Sequence, residues 1–353
     1  MSKKKKSDWE ESLDQVEKDT GMHISFIEGK EGENSSNVEI IPTPSLSLNY
    51  ELGAGGLPRG RIVEIFGPQS GGKSTLSQLM VAEEQQRGNN ALYVDPENSL
   101  EKNYAEQLGV DVSKLAYAQP DYAEQMFKAM EDMLDEKLFS IIVVDSVTAL
   151  LPKKEFDAEI EDDHYAPLAQ VLSKALRRLS KRISNSNTTV IFINQLRTNI
   201  GKTWGNPEKT PGGRALKFYS SIRLRVNIKS GGHIEDETGR VIGHTISAKV
   251  KKNKVGPPMG ETEFDLYYGE GVDQAKEIFE FGKRKGLVFK DGHTYYYGNK
   301  EEYYKCEDED KDDGDEDAWE KIEVGEDSTI EKLRDDKKMF KKVRKKVLGE
   351  EDE

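Results

Sequence analysis

Short apolar runs alternate with longer amphipathic stretches through the middle of the chain. The apolar runs predict strands at residues 61–66, 91–95, 141–145 and 190–194. The stretches between them carry apolar residues at helical spacing and predict helices at 75–86, 123–137 and 167–183. Apolar strands separated by helices are typical of a parallel sheet that is covered on both faces. The pattern therefore predicts an α/β fold with a mostly parallel central sheet.

The pattern before residue 37 differs from that of the predicted sheet. Ser7 and Glu10 form an S-x-x-E capping box, and the apolar residues Trp9, Leu13 and Val16 follow at helical spacing. These residues predict a short amphipathic helix, whose apolar stripe docks either on another subunit or on the core of its own chain. The glycine-rich, polar residues that follow predict a linker, so we treat 1–36 as a separate predicted segment.

The pattern changes again after the apolar strands. Apolar and polar residues alternate at 222–226, 245–250 and 262–267, which predicts an antiparallel extension of the sheet. Gly269 and Gly271 mark a predicted boundary between a core at 37–271 and a small α+β carboxyl-terminal domain at 272–353. In that domain the pattern predicts a helix and turn at 272–289, an aromatic-rich strand at 294–304 and a helix at 319–348.

Charge is distributed unevenly along the 353 residues. The net charge is −14, but the last 54 residues hold 22 acidic and 13 basic side chains and account for −9 of it. The acidic balance of the whole chain therefore does not argue against a nucleic-acid partner. Nine of the eleven residues at 307–317 are acidic, which predicts a solvated loop, and the following helix is basic between Lys337 and Lys346. That basic helix either contacts DNA or neutralises the neighbouring acids.

Cysteine and apolar content limit the compartment. Cys306 is the only cysteine, so no internal disulfide forms, and the five scattered histidines predict no metal site. The basic start of the chain leads into acidic residues, which excludes a signal peptide, and no apolar stretch is long enough to span a membrane. We expect a reducing compartment, the cytoplasm.

A glycine-rich sequence between the first predicted strand and helix carries the clearest chemistry. It reads Gly67-Pro68-Gln69-Ser70-Gly71-Gly72-Lys73-Ser74, followed by Thr75. The G-x-x-x-x-G-K-S spacing lets backbone N–H groups cradle phosphate oxygens, with the amino terminus of the helix beneath them. Lys73 then reaches the outer phosphates, and the Ser74 hydroxyl is placed to bind Mg²⁺.

Polar side chains end three of the other predicted strands. Asp145 closes a fully apolar run, the usual arrangement for a carboxylate that holds Mg²⁺ beside a phosphate loop. Glu97, which follows Asp95 and Pro96, is the candidate general base for an attacking water. Gln195 ends a further strand, where its side chain can sense the terminal phosphate.

The residues after Gln195 predict a binding loop. Residues 196–214 are glycine-rich and long, and we expect no secondary structure in them. Trp204 is suited to stacking on bases, and four cations are suited to phosphates: Arg197, Lys202, Lys209 and Arg214.

Six short sequences, in order and spacing, resemble the RecA family of DNA strand-exchange proteins. They are RIVEIFGP at 61–68, IVVDS at 142–146, FINQ at 192–195, GNPE at 205–208, ALKFY at 215–219 and YGEG at 268–271. The likeness covers residues 8–289, with weaker similarity beyond. It implies a RecA-like P-loop ATPase core, an amino-terminal polymerisation arm and an ATP-driven helical filament on single-stranded DNA that pairs with homologous duplex and exchanges strands.

The resemblance also implies roles for individual residues. Lys73 and Ser74 bind phosphate and Mg²⁺, Asp145 binds the metal, Glu97 activates water, and Gln195 couples the nucleotide to DNA. Tyr104 and Tyr268 contact the adenine ring. Lys252 and Lys254 reach the phosphates of a neighbouring subunit, so that hydrolysis requires assembly.

For DNA, the resemblance implies a first loop at 156–165 and a second at 196–210. The contacts implied by the resemblance are Ser173, Arg177, Arg197, Ile200, Gly212 and Gly213, and Tyr165 stands where the family often has a methionine between bases. Trp204 and Arg214 are added as DNA contacts from the composition of the loop. Single-stranded-DNA-binding proteins and filament loaders are further partners that the family implies.

The chain departs from the family at several places. Gln69 replaces a common acid, Gln170 a common arginine and Tyr165 a common methionine, while Thr198 and Asn199 replace a Met-Lys pair. The internal acidic run also differs from the usual acidic tail, which fits a divergent bacterial or phage-encoded member. Two alternatives to a recombinase stay open at this point: a ring-forming helicase or DNA motor on the same fold, and a non-catalytic scaffold that coats DNA.

Overall fold

A computed structural model describes residues 16, 18–20, 38–159, 168–198, 208–209, 211–301, 303–304 and 319–349. The chain divides into two compact units, Met1–Asn37 and Val38–Glu353. In the first unit the described residues are helical. Of the predicted amino-terminal helix at 7–16, all but Val16 lies outside the described residues, as does the acidic stretch at 307–317.

The second unit contains sixteen described strands. They are β1 (Ile40–Ile41), β2 (Leu57–Pro58), β3 (Ile62–Gly67), β4 (Ala91–Val94), β5 (Ala116–Ala118), β6 (Ile141–Val144), β7 (Thr189–Gln195), β8 (Arg197–Thr198), β9 (Glu208–Lys209), β10 (Ile222–Glu235), β11 (Val241–Asn253), β12 (Glu261–Tyr267), β13 (Gly271–Val272), β14 (Val288–Asp291), β15 (Thr294–Gly298) and β16 (Trp319–Val324).

Ten helices with complete bounds are described in the same unit, together with a 3₁₀ turn at Val147–Ala149 and helical residues at 300–301 and 303–304. They are α1 (Leu46–Glu51), α2 (Lys73–Gln86), α3 (Lys102–Gln107), α4 (Ala123–Asp135), α5 (Lys153–Phe156), α6 (Leu168–Ser186), α7 (Ala215–Tyr219), α8 (Gln274–Lys285), α9 (Glu326–Asp335) and α10 (Lys337–Leu348).

Nine of the strands form one mixed sheet in the order β13-β12-β11-β10-β3-β7-β6-β4-β5. The strands from β10 to β5 are parallel, and β10 to β13 extend the sheet antiparallel. The predicted α/β class and its mostly parallel sheet are therefore confirmed. Among the described residues, no helix is both long and apolar enough to cross a membrane.

The apolar strands are buried on both faces, which explains their continuous runs. In β6, Ile141 and Val143 pack with α2 on one face, whereas Ile142 and Val144 pack with α4 and α6 on the other. All four side chains are at most 1% exposed. Because both faces of the parallel strands are covered, polar side chains gather at the strand ends.

The carboxyl-terminal part differs from its prediction. The single helix predicted at 319–348 is wrong, because this stretch forms β16, α9 and α10. Gly325 adopts a φ of 87° and ends the strand, and the side chain of Asp336 caps α10 by accepting the N–H groups of Lys338 and Met339. The strand predicted at 294–304 is also shorter and ends at Gly298.

The carboxyl-terminal elements have a core of their own. Helix α8 packs against the three-stranded sheet β14-β15-β16 and helices α9 and α10 around Phe279, Leu333 and Val343. The buried carboxylate of Glu277 joins α8 to the start of α1, since it accepts hydrogen bonds from the Ser45 hydroxyl at 2.8 Å and the Ser47 N–H at 2.9 Å. Burial raises the pKa of Glu277, and these hydrogen bonds oppose that shift.

Candidate functional site

The glycine-rich loop connects the end of β3 to the start of α2. A Cβ at Gly67 would lie 1.8 Å from the carbonyl oxygen of Val226 on β10, so only glycine fits this close approach of two backbones. Gly72 has a φ of 83° and Ser70 a φ of 57°, both in the left-handed region. Left-handed residues in such a turn are typical of the backbone concavities that bind anions.

Lys73 lies almost entirely buried at the first position of α2, with 6% of its surface exposed. Its ammonium group donates a hydrogen bond to the carbonyl of Pro68, within the loop. Burial lowers the pKa of Lys73, and the nearby carboxylates of Asp145 and Glu97 oppose that shift. A positive charge is thus held beneath the loop.

Asp145 follows β6 and faces the same loop. Its carboxylate accepts a hydrogen bond from the hydroxyl of Tyr93 at 2.7 Å, and the Ser74 hydroxyl lies nearby. Burial raises the pKa of Asp145, and the hydroxyls of Ser74 and Tyr93 oppose that shift. A hydroxyl and a carboxylate brought together in this way are the oxygen donors that Mg²⁺ prefers, so these residues fit that ion.

Glu97 is exposed in the turn after β4 and connects three strand ends. One of its carboxylate oxygens accepts hydrogen bonds from the Ser146 hydroxyl at 2.5 Å and from the Gln195 side-chain amide at 3.2 Å. Because β4, β6 and β7 are neighbours in the sheet, Glu97, Asp145 and Gln195 lie together at its carboxyl end, where the parallel strands finish. The structure therefore brings these three predicted residues together with Lys73.

Sequence reasoning missed the residue that holds the Glu97 turn. Asp95 is fully buried, and its carboxylate accepts the N–H groups of Ser99 at 2.7 Å and Leu100 at 2.8 Å. The Tyr117 hydroxyl donates to the same carboxylate at 3.1 Å, and burial together with Asp95 raises the pKa of Tyr117 to about 12. The signal was an aspartate followed by Pro, Glu, Asn and Ser, a composition that favours Asx turns.

Tyr104 and Tyr268 line one cavity with the glycine-rich loop. The cavity, of about 290 Å³, extends from Ser70–Thr75 to these two rings and to His244. The Tyr104 hydroxyl lies 3.5 Å from the Thr75 hydroxyl, and Tyr268 is half exposed. The cavity thus has one end formed by the glycine-rich loop with Lys73 and another end that is aromatic.

Lys252 and Lys254 lie away from the glycine-rich loop of their own chain. Lys252 pairs with Arg223 near the start of β10, and Arg223 pairs in turn with Glu64 near the start of β3, whereas the loop follows the end of β3. The Lys252 ammonium group donates to the carbonyls of Lys217 at 2.6 Å and Phe218 at 3.1 Å. The two lysines therefore stand at the amino end of the sheet, where the parallel strands begin.

Several predicted DNA contacts gather where α6 meets the residues before α7. Gly212 and Gly213 have φ values of 80° and 75°, and a Cβ at Gly212 would lie 2.5 Å from Leu172 of α6. Arg214 and Arg177 are exposed, and Ser173 is half-buried on α6. Tyr165, Ile200 and Trp204 lie outside the described residues.

We expected no secondary structure in the loop after Gln195, and this prediction was wrong. Strands β8 and β9 pair antiparallel, with Arg197 opposite Lys209 and Thr198 opposite Glu208. The alternation in these two-residue strands is too short to be recognised in a sequence.

This geometry defines a class of protein, the P-loop ATPases with a mixed central sheet. A family model described as the RecA N-terminal domain matches residues 7–273. The protein RecA of Syntrophus aciditrophicus is 46% identical over 81% of this chain and 82% of its own length, and that of Thermus thermophilus is 39% identical over 100% and 97%. The protein RecA of Laribacter hongkongensis is 42% identical over 95% of this chain and 88% of its own length.

The chain therefore belongs to the RecA family. It is an ATP-dependent recombination and strand-exchange protein and a DNA-dependent ATPase. Nucleotide binding, DNA binding and filament formation come with this membership. A crystal structure of the RadB recombinase shares the fold, with a TM-score of 0.50 and 20% identity over 66% of this chain and 98% of that chain.

Proposed function

We propose that the cavity beside the glycine-rich loop binds ATP with Mg²⁺. The loop amides and Lys73 would hold the phosphates, while Tyr104 and Tyr268 would contact the base. Ser74 and Asp145 would hold Mg²⁺, which when bound neutralises charge on the phosphate oxygens. The support is the hydroxyl–carboxylate pair beside a buried ammonium group, because hard oxygen donors and a fixed cation suit a metal-bound phosphate chain.

Glu97 acts as the general base that orients and activates the attacking water. The observation that carries this role is its double hydrogen bond to Ser146 and Gln195, which fixes the carboxylate at the strand ends, within electrostatic reach of Lys73. Gln195 also begins the segment that contains β8 and β9. Loss of the terminal phosphate would therefore change a contact that both Glu97 and this segment share.

Lys252 and Lys254 act on the nucleotide of a neighbouring subunit. They stand at the end of the sheet opposite to their own glycine-rich loop, which does not favour a contact with the nucleotide of their own chain. A head-to-tail contact between subunits, which propagates as an open helix, would place them on the next phosphate site.

The region around α6 and the two glycines contacts single-stranded DNA. Ser173, Arg177 and Arg214 offer hydroxyl and guanidinium donors, and the left-handed glycines bring their backbone N–H groups close to the surface. The homologous duplex, single-stranded-DNA-binding proteins, filament loaders and a cytoplasmic location belong to the same proposal.

The test is a Glu97→Gln variant assayed for ATP hydrolysis with and without single-stranded DNA. General-base catalysis contributes about a hundredfold or more, so we expect a loss of at least that size in the stimulated rate, with nucleotide binding retained. Glu136→Gln, an exposed residue after α4, is the matched control and should hydrolyse ATP normally. A normal rate in Glu97→Gln would show that the base is a different residue.

A further inference from the structure

Two histidines on the paired strands of one hairpin, eleven residues apart in the sequence, meet at the rim of the nucleotide cavity. His233 of β10 and His244 of β11 are cross-strand partners in the extended hairpin, and their Nδ1 atoms lie 3.2 Å apart. His244 lines the cavity, and its Nε2 is hydrogen-bonded to the Tyr268 hydroxyl. His233 is exposed, so solvent and small ions reach the pair.

We propose that His233 and His244 form a binding site for a divalent transition cation such as Zn²⁺. Two imidazole nitrogens bound to one tetrahedral ion at about 2.05 Å lie about 3.3 Å apart, close to the observed separation. Imidazole is a ligand that suits Zn²⁺, Ni²⁺ and Cu²⁺ and does not suit Mg²⁺. The site is thus chemically distinct from the one at Ser74 and Asp145.

The ring positions are compatible with ligation of one ion by both histidines. Two rings whose nitrogens converge on a tetrahedral ion have centres about 5.2 Å apart. The observed separation is 5.0 Å, with the rings inclined at 63°.

The contact with Tyr268 fits the same site. A histidine that binds a metal through one ring nitrogen usually donates its other N–H to an acceptor, which fixes the tautomer. When His244 Nε2 donates to the Tyr268 oxygen, Nδ1 keeps its lone pair and faces His233. Among the described residues no group of three or more His, Cys, Asp or Glu gathers around a metal position, so the proposed site rests on these two histidines and water would have to fill the other positions of the ion.

Occupancy of this site affects nucleotide binding, because His244 contacts Tyr268 at the aromatic end of the cavity. This consequence rests on the proposed nucleotide site, whereas the metal site does not. By linkage, a cation that changes nucleotide affinity must itself bind with an affinity that depends on nucleotide. Metal binding measured without nucleotide therefore tests the site independently.

The experiment titrates Zn²⁺ by calorimetry into the full chain without a histidine tag, in excess Mg²⁺ and without nucleotide. A Cys306→Ser background removes the single thiol as a ligand. We expect one Zn²⁺ per chain, with at least tenfold weaker binding in His233→Asn and in His244→Asn. His293→Asn, an exposed histidine of the carboxyl-terminal domain, is the control and should bind as the parent does.

Because His233 is exposed, its substitution leaves the fold intact and keeps the test decisive. Co²⁺ in place of Zn²⁺ should give a visible absorption band that both hairpin variants lose. Saturable binding that survives both substitutions, or no saturable binding at micromolar Zn²⁺, would overturn the site. A confirmed site with unchanged nucleotide affinity would instead contradict the coupling through Tyr268.

Discussion

The two ends of the central sheet carry different kinds of polar group. At the carboxyl end, where the parallel strands finish, Lys73 and Asp145 are buried, and Asp145 and Glu97 are hydrogen-bonded to neighbouring side chains. At the amino end, where the parallel strands begin, the Lys252 side chain contacts two backbone carbonyls, and Lys254 is exposed. The first end holds a buried cation among acids, whereas the second carries one lysine bonded to backbone carbonyls and one exposed lysine. This difference fits the proposed function, in which the two ends contribute to nucleotide sites shared with different neighbours.

The largest expected effect comes from removing Lys73, the buried cation at the carboxyl end of the sheet. We expect Lys73→Met to weaken ATP binding by about a hundredfold or more, because loss of one partner of a desolvated charge pair costs about 2–5 kcal/mol. Binding of a fluorescent ATP analogue measures this change. Lys128→Met, which removes an exposed ion pair with Asp132 on α4, should leave binding unchanged. Equal binding by Lys73→Met would contradict the phosphate site.

A mixing experiment tests directly whether the two ends of the sheet meet between subunits. We expect Lys252→Met and Lys73→Met each to lack DNA-stimulated ATP hydrolysis when pure. In an equal random mixture about a quarter of the interfaces combine an intact Lys73 with an intact Lys252, so about a quarter of the parent rate should return.

The control is Lys249→Met, on the same strand as Lys252 and paired with Glu261. It should hydrolyse ATP normally when pure. An active Lys252→Met protein, or a mixture without activity, would mean that the two ends of the sheet do not meet across a subunit interface.

Tyr93→Phe tests how the carboxyl end of the sheet holds Asp145 for Mg²⁺. This substitution removes only the hydroxyl that donates to Asp145 at 2.7 Å. Loss of a partner of a metal ligand typically costs about 10–100-fold in metal affinity, so the Mg²⁺ concentration for half-maximal ATP binding should rise by about tenfold. Tyr117→Phe, which removes a hydrogen bond to Asp95, should change the hydrolysis rate and leave the Mg²⁺ dependence as it was.

The smallest effect concerns pH. Burial raises the pKa of Asp145, so Mg²⁺-dependent ATP affinity should begin to fall at a higher pH than for an ordinary aspartate as the solution is acidified. The same shift favours the protonated form in the folded state. Its destabilising effect on folding is therefore present above the folded pKa and is relieved as the pH falls toward the unfolded value.

The Tyr93→Phe variant tests the pH assignment. The Tyr93 hydrogen bond lowers the pKa of Asp145, so its removal should move the loss of Mg²⁺-dependent affinity to higher pH. Affinity measured at several pH values at fixed Mg²⁺ would detect this shift. A shift in the opposite direction would mean that a group other than Asp145 controls the profile.

The sequence predicted the parts of the fold whose cause is local. The strand before Gly67 and the helix after Gly72 follow from a glycine spacing, and the parallel strands follow from apolar runs that are buried on both faces. The helix predicted at 319–348 was wrong because the alternation in β16 spans only six residues, with helix-forming residues after it.

The contacts that support the site could not be predicted, because they depend on strand order. Tyr93 meets Asp145 only because β4 lies beside β6, and Glu97 meets Gln195 only because β4 and β7 flank β6. A sequence gives the strands but not their neighbours. His233 and His244 are only eleven residues apart, but the sequence does not give the register of the hairpin, with its irregularities, that sets them opposite each other.

The hydrogen bonds of Glu277 limit which segments related chains can exchange. A chimera that takes its carboxyl-terminal part from a relative would replace Glu277 but keep Ser45 and Ser47, whose donors now share one buried carboxylate. A graft without an acid there would leave buried donors unpaired, and a glutamate set against other residues would be buried alone. The residues around 45 and 277 must therefore be inherited together, although 230 positions separate Ser47 from Glu277 in the chain.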